Sequence, residues 1–267
     1  MSKGFENESD AFAVRPAGNP PSMVTVHLLM IVAAGLVSTS FTVGAAITQE
    51  LDPAVLTLVR FVLAAGIFGP WVYYRYGFCF SPSLFLRCAL ISGCLVIFFC
   101  CMFLSLRYTT ALNTSVIFAL VPSISGGYAL IINRERLGRG QLLALLCGMI
   151  GVFWVIFRGD PAQLLAMQWN QGDVIFLGGC FAMGLYTPLI KLLHRGESMA
   201  VMTFWVLVTG SIWLLAFVGG KLLTVPWAAV PSFAWLGVGY LAVFTTIITF
   251  FLTQYAVPHL GPTRVMA

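Results

Sequence analysis

Eight long runs of apolar residues punctuate the chain, at about 24–46, 54–74, 84–106, 110–132, 141–157, 172–193, 200–219 and 233–255. Each is continuous, without period-two alternation, and each is long enough to cross a hydrocarbon core of about 30 Å as a helix. Pro53 stands in the first turn of the second run, where its missing N–H costs nothing. Between the fourth and fifth runs lies the charged stretch Asn133-Arg134-Glu135-Arg136-Leu137-Gly138-Arg139. It is too short for anything but the turn of a helical hairpin. Residues 1–22 are polar and carry Pro16, Pro20 and Pro21, which predicts a disordered cytoplasmic tail. The first apolar run starts too late and is too long to be the core of a signal peptide.

Composition turns this pattern into a class. With 60% hydrophobic residues, 9% charged residues and a mean hydropathy of +0.95, a soluble fold could not solvate its surface. A β-barrel would show short alternating segments. The reading is an all-α polytopic membrane protein with the lipid bilayer as its solvent. The net charge of +5 comes from loop Lys and Arg and bears on topology. No nucleic-acid motif is present, and no nucleic-acid partner is expected. With the N-terminus inside, the cytoplasmic segments hold Lys3, Arg15, Arg75, Arg87, Arg134, Arg136, Arg139, Lys191, Arg195 and Arg264, against Arg107, Arg158 and Lys221 opposite. That asymmetry predicts a multi-pass protein of the cell inner membrane with a cytoplasmic N-terminus.

Internal duplication is visible at an offset of 148 residues, which brings Phe103-Leu104-Ser105 onto Phe251-Leu252-Thr253 and Val24 onto Gly172. Five helices per copy is an odd number, so successive copies must be inverted in the membrane. The stretch from Phe103 to Ile156 carries a further signal in Tyr108-Thr109-Thr110-Ala111-Leu112, Pro122, Glu135-Arg136, and Gly148 with Gly151. It resembles the EamA-type members of the drug/metabolite transporter superfamily. The resemblance implies an inverted 5+5 helix repeat, of which about eight of ten transmembrane helices are present. A first repeat would occupy 24–158 and an incomplete second repeat 172–267. Residues Tyr255 to Arg264 resemble the link to a ninth helix, so a complete member would add two more helices. It also implies export of a small metabolite or drug-like solute by alternating access, through a cavity lined chiefly by helices 1, 3, 4, 6, 8 and 9. The alternative is a non-transporting membrane subunit or regulator that needs a partner or the missing C-terminal helices.

Candidate chemistry is sparse. The nine acidic residues map to tails, loops or helix ends, which argues against an intramembrane proton relay or a paired-aspartate protease. Ser123-Ile124-Ser125-Gly126 lacks the flanking glycine and the histidine of a serine nucleophile site, so no enzyme is expected. Seven cysteines form no CxxC pair and His27, His194 and His259 lie far apart, so no metal and no cofactor is expected. Arg60 is the one cation well inside a span. Its structural reading is that it reaches the outer interface or pairs with Glu50; its functional reading is that it lines the cavity and attracts a carboxylate or phosphate.

Polar groups at mid-depth complete the picture. They are Ser38, Thr39, Ser40 and Thr42 in the first span, Asn113, Thr114 and Ser115 in the fourth, and Thr245, Thr246, Thr249 and Gln254 in the eighth. Bonding back to the residue's own helix is the default for Ser and Thr, whereas the four bonding sites of Asn113 are harder to fill. Tyr186-Thr187 precede Pro188, which permits a bend. Trp154, Tyr128, Trp205 and Tyr240 could stack on a planar solute, and Lys191 and Arg107 read as interfacial anchors. Gly126-Gly127 would allow close contact or hinging, and Gly35, Gly148 and Gly151 would serve packing. The candidate solute-binding set is therefore Ser38, Thr42, Arg60, Asn113, Ser115, Trp154, Tyr186, Tyr240 and Thr246. Small interhelical residues permit a homodimer.

Overall fold

The computed structural model describes residues 23–77, 80–132, scattered positions between 138 and 154, and 170–260. Helices α1 (Met23–Ile47), α2 (Pro53–Tyr76) and α3 (Pro82–Ser105) are single spans. The fourth span is divided into α4 (Ala111–Phe118) and α5 (Val121–Ile132). Next come α6 (Gln171–Leu193) and α7 (Met199–Leu222). The last span is α8 (Ser232–Ala242), a π segment (Val243–Ile248) and α9 (Thr249–Leu260). Among the described residues there are no strands, and seven helical spans are long and apolar enough to cross a membrane. The tail 1–22 lies outside the described residues. So does most of the fifth expected span, 141–157, whose described positions, among them Leu143, Gly148 and Trp154, are helical.

The helix starts follow local chemistry. Asp52 accepts the Ala54 N–H at 3.0 Å ahead of Pro53. Thr110 accepts that of Asn113 at 3.2 Å, and Asn170 that of Gly172 at 3.1 Å. Each satisfies a donor that the first turn leaves free. Two expectations need correction. The fourth span is not one helix over 110–132: before Pro122, which cannot donate back along a helix, the chain tightens into bonds from Ala119 to Val116 and from Leu120 to Ile117. The eighth span does not stop at 255 but stays helical to Leu260, because Gln254-Tyr255-Ala256-Val257 offers no glycine to end it.

Packing arranges these spans around α2, α3 and α7, while α1 keeps much of its apolar surface exposed, as a lipid-facing helix does. The main contacts are α3 on α6, α2 on α7, α5 on α6, α3 on α7, and α1 along the α8–α9 span. Shifting every span by five places exchanges α3 on α6 with α1 on α8–α9. It also exchanges α3 on α7 with α2 on α8, and returns α2 on α7 to itself. The starts at Met23, Pro53 and Pro82 recur at Gln171, Met199 and Ser232, within two residues of the 148-residue offset.

Polar clamps hold both ends of the bundle. At one end Lys221 donates to Asp52 at 3.0 Å, while Arg107 donates to the carbonyls of Thr48 and Leu51 at 2.9 Å each, closing the α1–α2 connection onto the end of α3. At the other end Arg87 forms an ion pair with Glu197 and donates to the Leu193 carbonyl at 2.6 Å, which closes the turn between α6 and α7. Glu197 also accepts the Arg195 N–H at 2.9 Å.

Partial burial alone would raise the Glu197 carboxyl. The hydrogen bond from Arg87, the backbone N–H groups and the Arg87 charge outweigh it, and the carboxyl is held down at about 2. A carboxyl depressed in the folded state contributes stability that is complete above its ordinary value and is lost as pH falls through the folded one. Wild type and Glu197→Gln should therefore unfold at midpoints separated by a constant gap from pH 7 down to about 4.5, and the gap should close toward about pH 2. Thermal scans across that window check it; a gap that does not depend on pH would remove the carboxylate from the clamp.

Candidate functional site

The interior holds one polar cluster of unusual composition, centred on Arg60 in the third turn of α2. The side chain is 1% exposed. Its Nε donates to Thr246 Oγ1 at 2.8 Å, and its Nη2 donates to Thr245 Oγ1 at 3.0 Å and to the Thr245 carbonyl at 3.3 Å. The guanidinium carbon lies 4.2 Å from the centroid of the Phe99 ring on α3, a cation–π contact. Nη1 is buried and has no hydrogen-bond partner.

The local helix geometry explains why two adjacent threonines can both face one guanidinium. In the π segment the backbone hydrogen bonds reach one residue further along the chain than in an α-helix, which widens the turn. Thr245 and Thr246 hydroxyls both donate to the Leu241 carbonyl at 2.9 Å, leaving their lone pairs to accept from Arg60. Thr249 in turn donates to the Thr245 carbonyl at 2.9 Å.

The expected structural partner of Arg60 is overturned. Glu50 lies exposed in the α1–α2 connection, separated from the helix by the Asp52 cap and Pro53, and Arg60 neither reaches it nor reaches solvent. The other described carboxylates are engaged elsewhere: Asp52 with Lys221, Asp173 accepting from Thr109 at 2.7 Å, and Glu197 with Arg87. A buried cation without a counter-ion is costly at this depth.

The remaining candidates divide by place. Arg60 and Thr246 touch. Tyr240 lies apart from them on α8, where its hydroxyl meets that of Thr39 of α1 at 2.8 Å and its ring stacks on Phe244 with centroids 5.0 Å apart. Ser38 and Thr42 are exposed on α1, and Ser38 bonds back to the Ala34 carbonyl at 3.0 Å. On α4, Asn113 is exposed and donates to Thr109 at 3.3 Å, while Ser115 bonds back to Leu112 at 2.8 Å. Tyr186 is buried in α6, and the adjacent Thr187 hydroxyl is buried without a partner. Trp154 is helical and exposed.

Sequence reasoning passed over Phe99 and left Thr245 outside the set. The Thr245-Thr246 pair with Thr249 was the available signal; nothing distinguished one Phe among 22. A separate apolar cavity of about 280 Å³, lined among others by Gly69, Pro70, Tyr73, Phe204 and Trp205, lies between α2 and α7. It is some 15 Å along α2 from Arg60.

The EamA-like transporter family matches residues 24–157 and 170–267, nearly the whole chain. The chain belongs to that family. It is thereby a member of the drug/metabolite transporter superfamily and a multi-pass membrane protein. It is 23% identical over 162 residues to the uncharacterized transporter YyaM of Bacillus subtilis, covering 61% of this chain and 53% of the relative. To an uncharacterized transporter of Archaeoglobus fulgidus it is 25% identical over 173 residues, covering 63% and 58%. The matches thus span little more than half the length of these relatives. A solved structure described only as a crystal structure of a protein superposes with a TM-score of 0.61 over 90% of this chain and 80% of that one, at 15% identity, which shows a shared fold. In this EamA-like chain the Arg60 cluster draws on both matched stretches: Arg60 and Phe99 come from the first, and Thr245 and Thr246 from the second.

Proposed function

We propose that this EamA-like protein exports a small metabolite or drug-like organic solute across the inner membrane by alternating access, with its N-terminus in the cytoplasm. The observation that carries the reading is the buried Arg60 cluster, a polar centre without a counter-ion at the seam between the two family-matched stretches. Polar groups inside a membrane bundle are costly to keep, and those that persist mark solute or ion paths. Sites at the meeting of two repeats are where rocking of one half on the other exposes a solute to each side in turn. The exchange symmetry of the packing supports two such halves. The π segment and the in-helix Pro188 supply places where spans can bend. The Ser, Thr and aromatic surroundings favour solutes with an apolar or planar body over multiply charged ones. Arg75 and Arg87 share the end of the bundle that this topology turns to the cytoplasm, as the positive-inside bias requires.

The test is solute exchange in proteoliposomes holding the purified chain, across a panel of aromatic and aliphatic acids, their amides, and amino acids. Transport predicts saturable counterflow of at least one panel member, absent from protein-free vesicles. Flux that never exceeds those vesicles would favour the reading in which the protein is a membrane subunit awaiting a partner.

A further inference from the structure

We infer that Arg60 is the docking point for a single carboxylate on the solute; this deepens the transport proposal and rests on it. A guanidinium offers five N–H donors in a rigid plane. Nε and Nη2 are committed to Thr245 and Thr246, and Phe99 covers one face. What is left is the edge at Nη1, whose N–H groups have no acceptor. The threonines cannot supply one by small adjustment, since their hydroxyls are already aligned between the Leu241 carbonyl and the other nitrogens. A free guanidinium edge carrying full charge in a low-dielectric interior fits an oxygen of an ionised acid, and the charge-assisted bond so formed is about twice as strong as a neutral one.

Charge decides which acid. Among the described residues the cluster holds one positive charge and no carboxylate. A monoanion neutralises it. A phosphate dianion would carry a net negative charge into the same apolar surroundings and bring more oxygens than one edge can satisfy. The surroundings decide the body: the Phe99 ring lies on the guanidinium, and the Phe61 ring packs edge to face on Phe99 at 5.6 Å. The solute is therefore a monocarboxylate with an apolar or aromatic body. In this structure the edge is closed off, so docking requires the π segment to part from α2. That segment is joined to Arg60 by hydrogen bonds through Thr245 and Thr246.

The experiment compares acids with their own amides. The purified 267-residue chain is unfolded thermally in benzoate, hexanoate, benzamide, hexanamide and inorganic phosphate at matched ionic strength, for wild type, Arg60→Gln and Arg60→Lys. The acids should raise the wild-type midpoint by several degrees, the amides and phosphate should not, and Arg60→Gln should lose the shift while Arg60→Lys keeps part of it. Equal shifts from acid and amide, a shift that survives in Arg60→Gln, or no shift from either acid would overturn the inference. If the glutamine variant does not fold, the wild-type difference between acid and amide and the lysine variant still decide. Counterflow of amides but not acids would end the carboxylate assignment and leave transport standing. No flux of acids, amides or amino acids would end the transport reading itself.

Discussion

Arg60→Met should unfold at a higher temperature than the wild type while losing at least tenfold in solute flux. The wild-type side chain is a charge almost wholly removed from solvent, with no carboxylate beside it among the described residues and two N–H donors unpaired. Replacing even well-paired buried charges by apolar side chains of similar volume is neutral or stabilising by about 1–4 kcal/mol. An unpaired charge starts from a worse position. The substitution leaves no new orphan behind, because Thr245 and Thr246 keep their bonds to the Leu241 carbonyl and the Thr245 carbonyl keeps that from Thr249. A methionine thioether against Phe99 retains about 0.3–1.5 kcal/mol of the ring contact. Stability gained where activity is lost is the mark of a residue held for function. A midpoint lowered by several degrees would instead make Arg60 a brace for the π segment, and the transport reading would then rest on flux alone.

What the sequence could show here depended on whether a signal was local. Helix starts were legible from where the apolar runs begin and, for the second span, from Pro53; the caps at Asp52, Thr110 and Asn170 act on those same first turns. Arg60 stood out because a cation inside an apolar run needs no neighbour to be noticed. Its partner was misjudged because Glu50 is near in sequence, whereas Thr245 and Thr246 come from a span far along the chain. The π segment left no mark either. Val243 to Ile248 reads as ordinary apolar helix, and the widened winding follows from how it packs.

The glycines were the poorest guide. Gly35 looked like a packing position, yet a Cβ there would meet nothing within 4 Å among the described residues. The close approaches occur instead at Gly44, Gly69, Gly172, Gly179, Gly184, Gly210 and Gly237. Whether a glycine faces a neighbour depends on how its helix is rotated. A run that is apolar on every side, facing protein on one flank and lipid on the other, does not encode that rotation.

Gly184→Val should therefore lower stability by about 1–3 kcal/mol or more, the range for forcing atoms into a packed interior. A Cβ at Gly184 would lie 2.6 Å from Ile124 Cγ2, 3.0 Å from Ile124 Cβ and 3.2 Å from the Ser125 backbone nitrogen. The first of these could yield by a rotamer change; the other two cannot move unless α5 moves. Neighbouring geometry removes the other escape, since Pro188 already leaves the Gly184 carbonyl without its helical donor and a further shift of α6 would strain that turn. Gly184→Ala should show the same sign at smaller size. Gly35→Ala, in open space on α1, should stay within about 0.5 kcal/mol of wild type and gain from alanine's better helix propensity. Thermal unfolding of the three variants in one detergent reads the order directly. If valine at 184 is as harmless as alanine at 35, then α5 and α6 are not in the contact described, and the seam that positions the fourth span against the sixth must be drawn elsewhere.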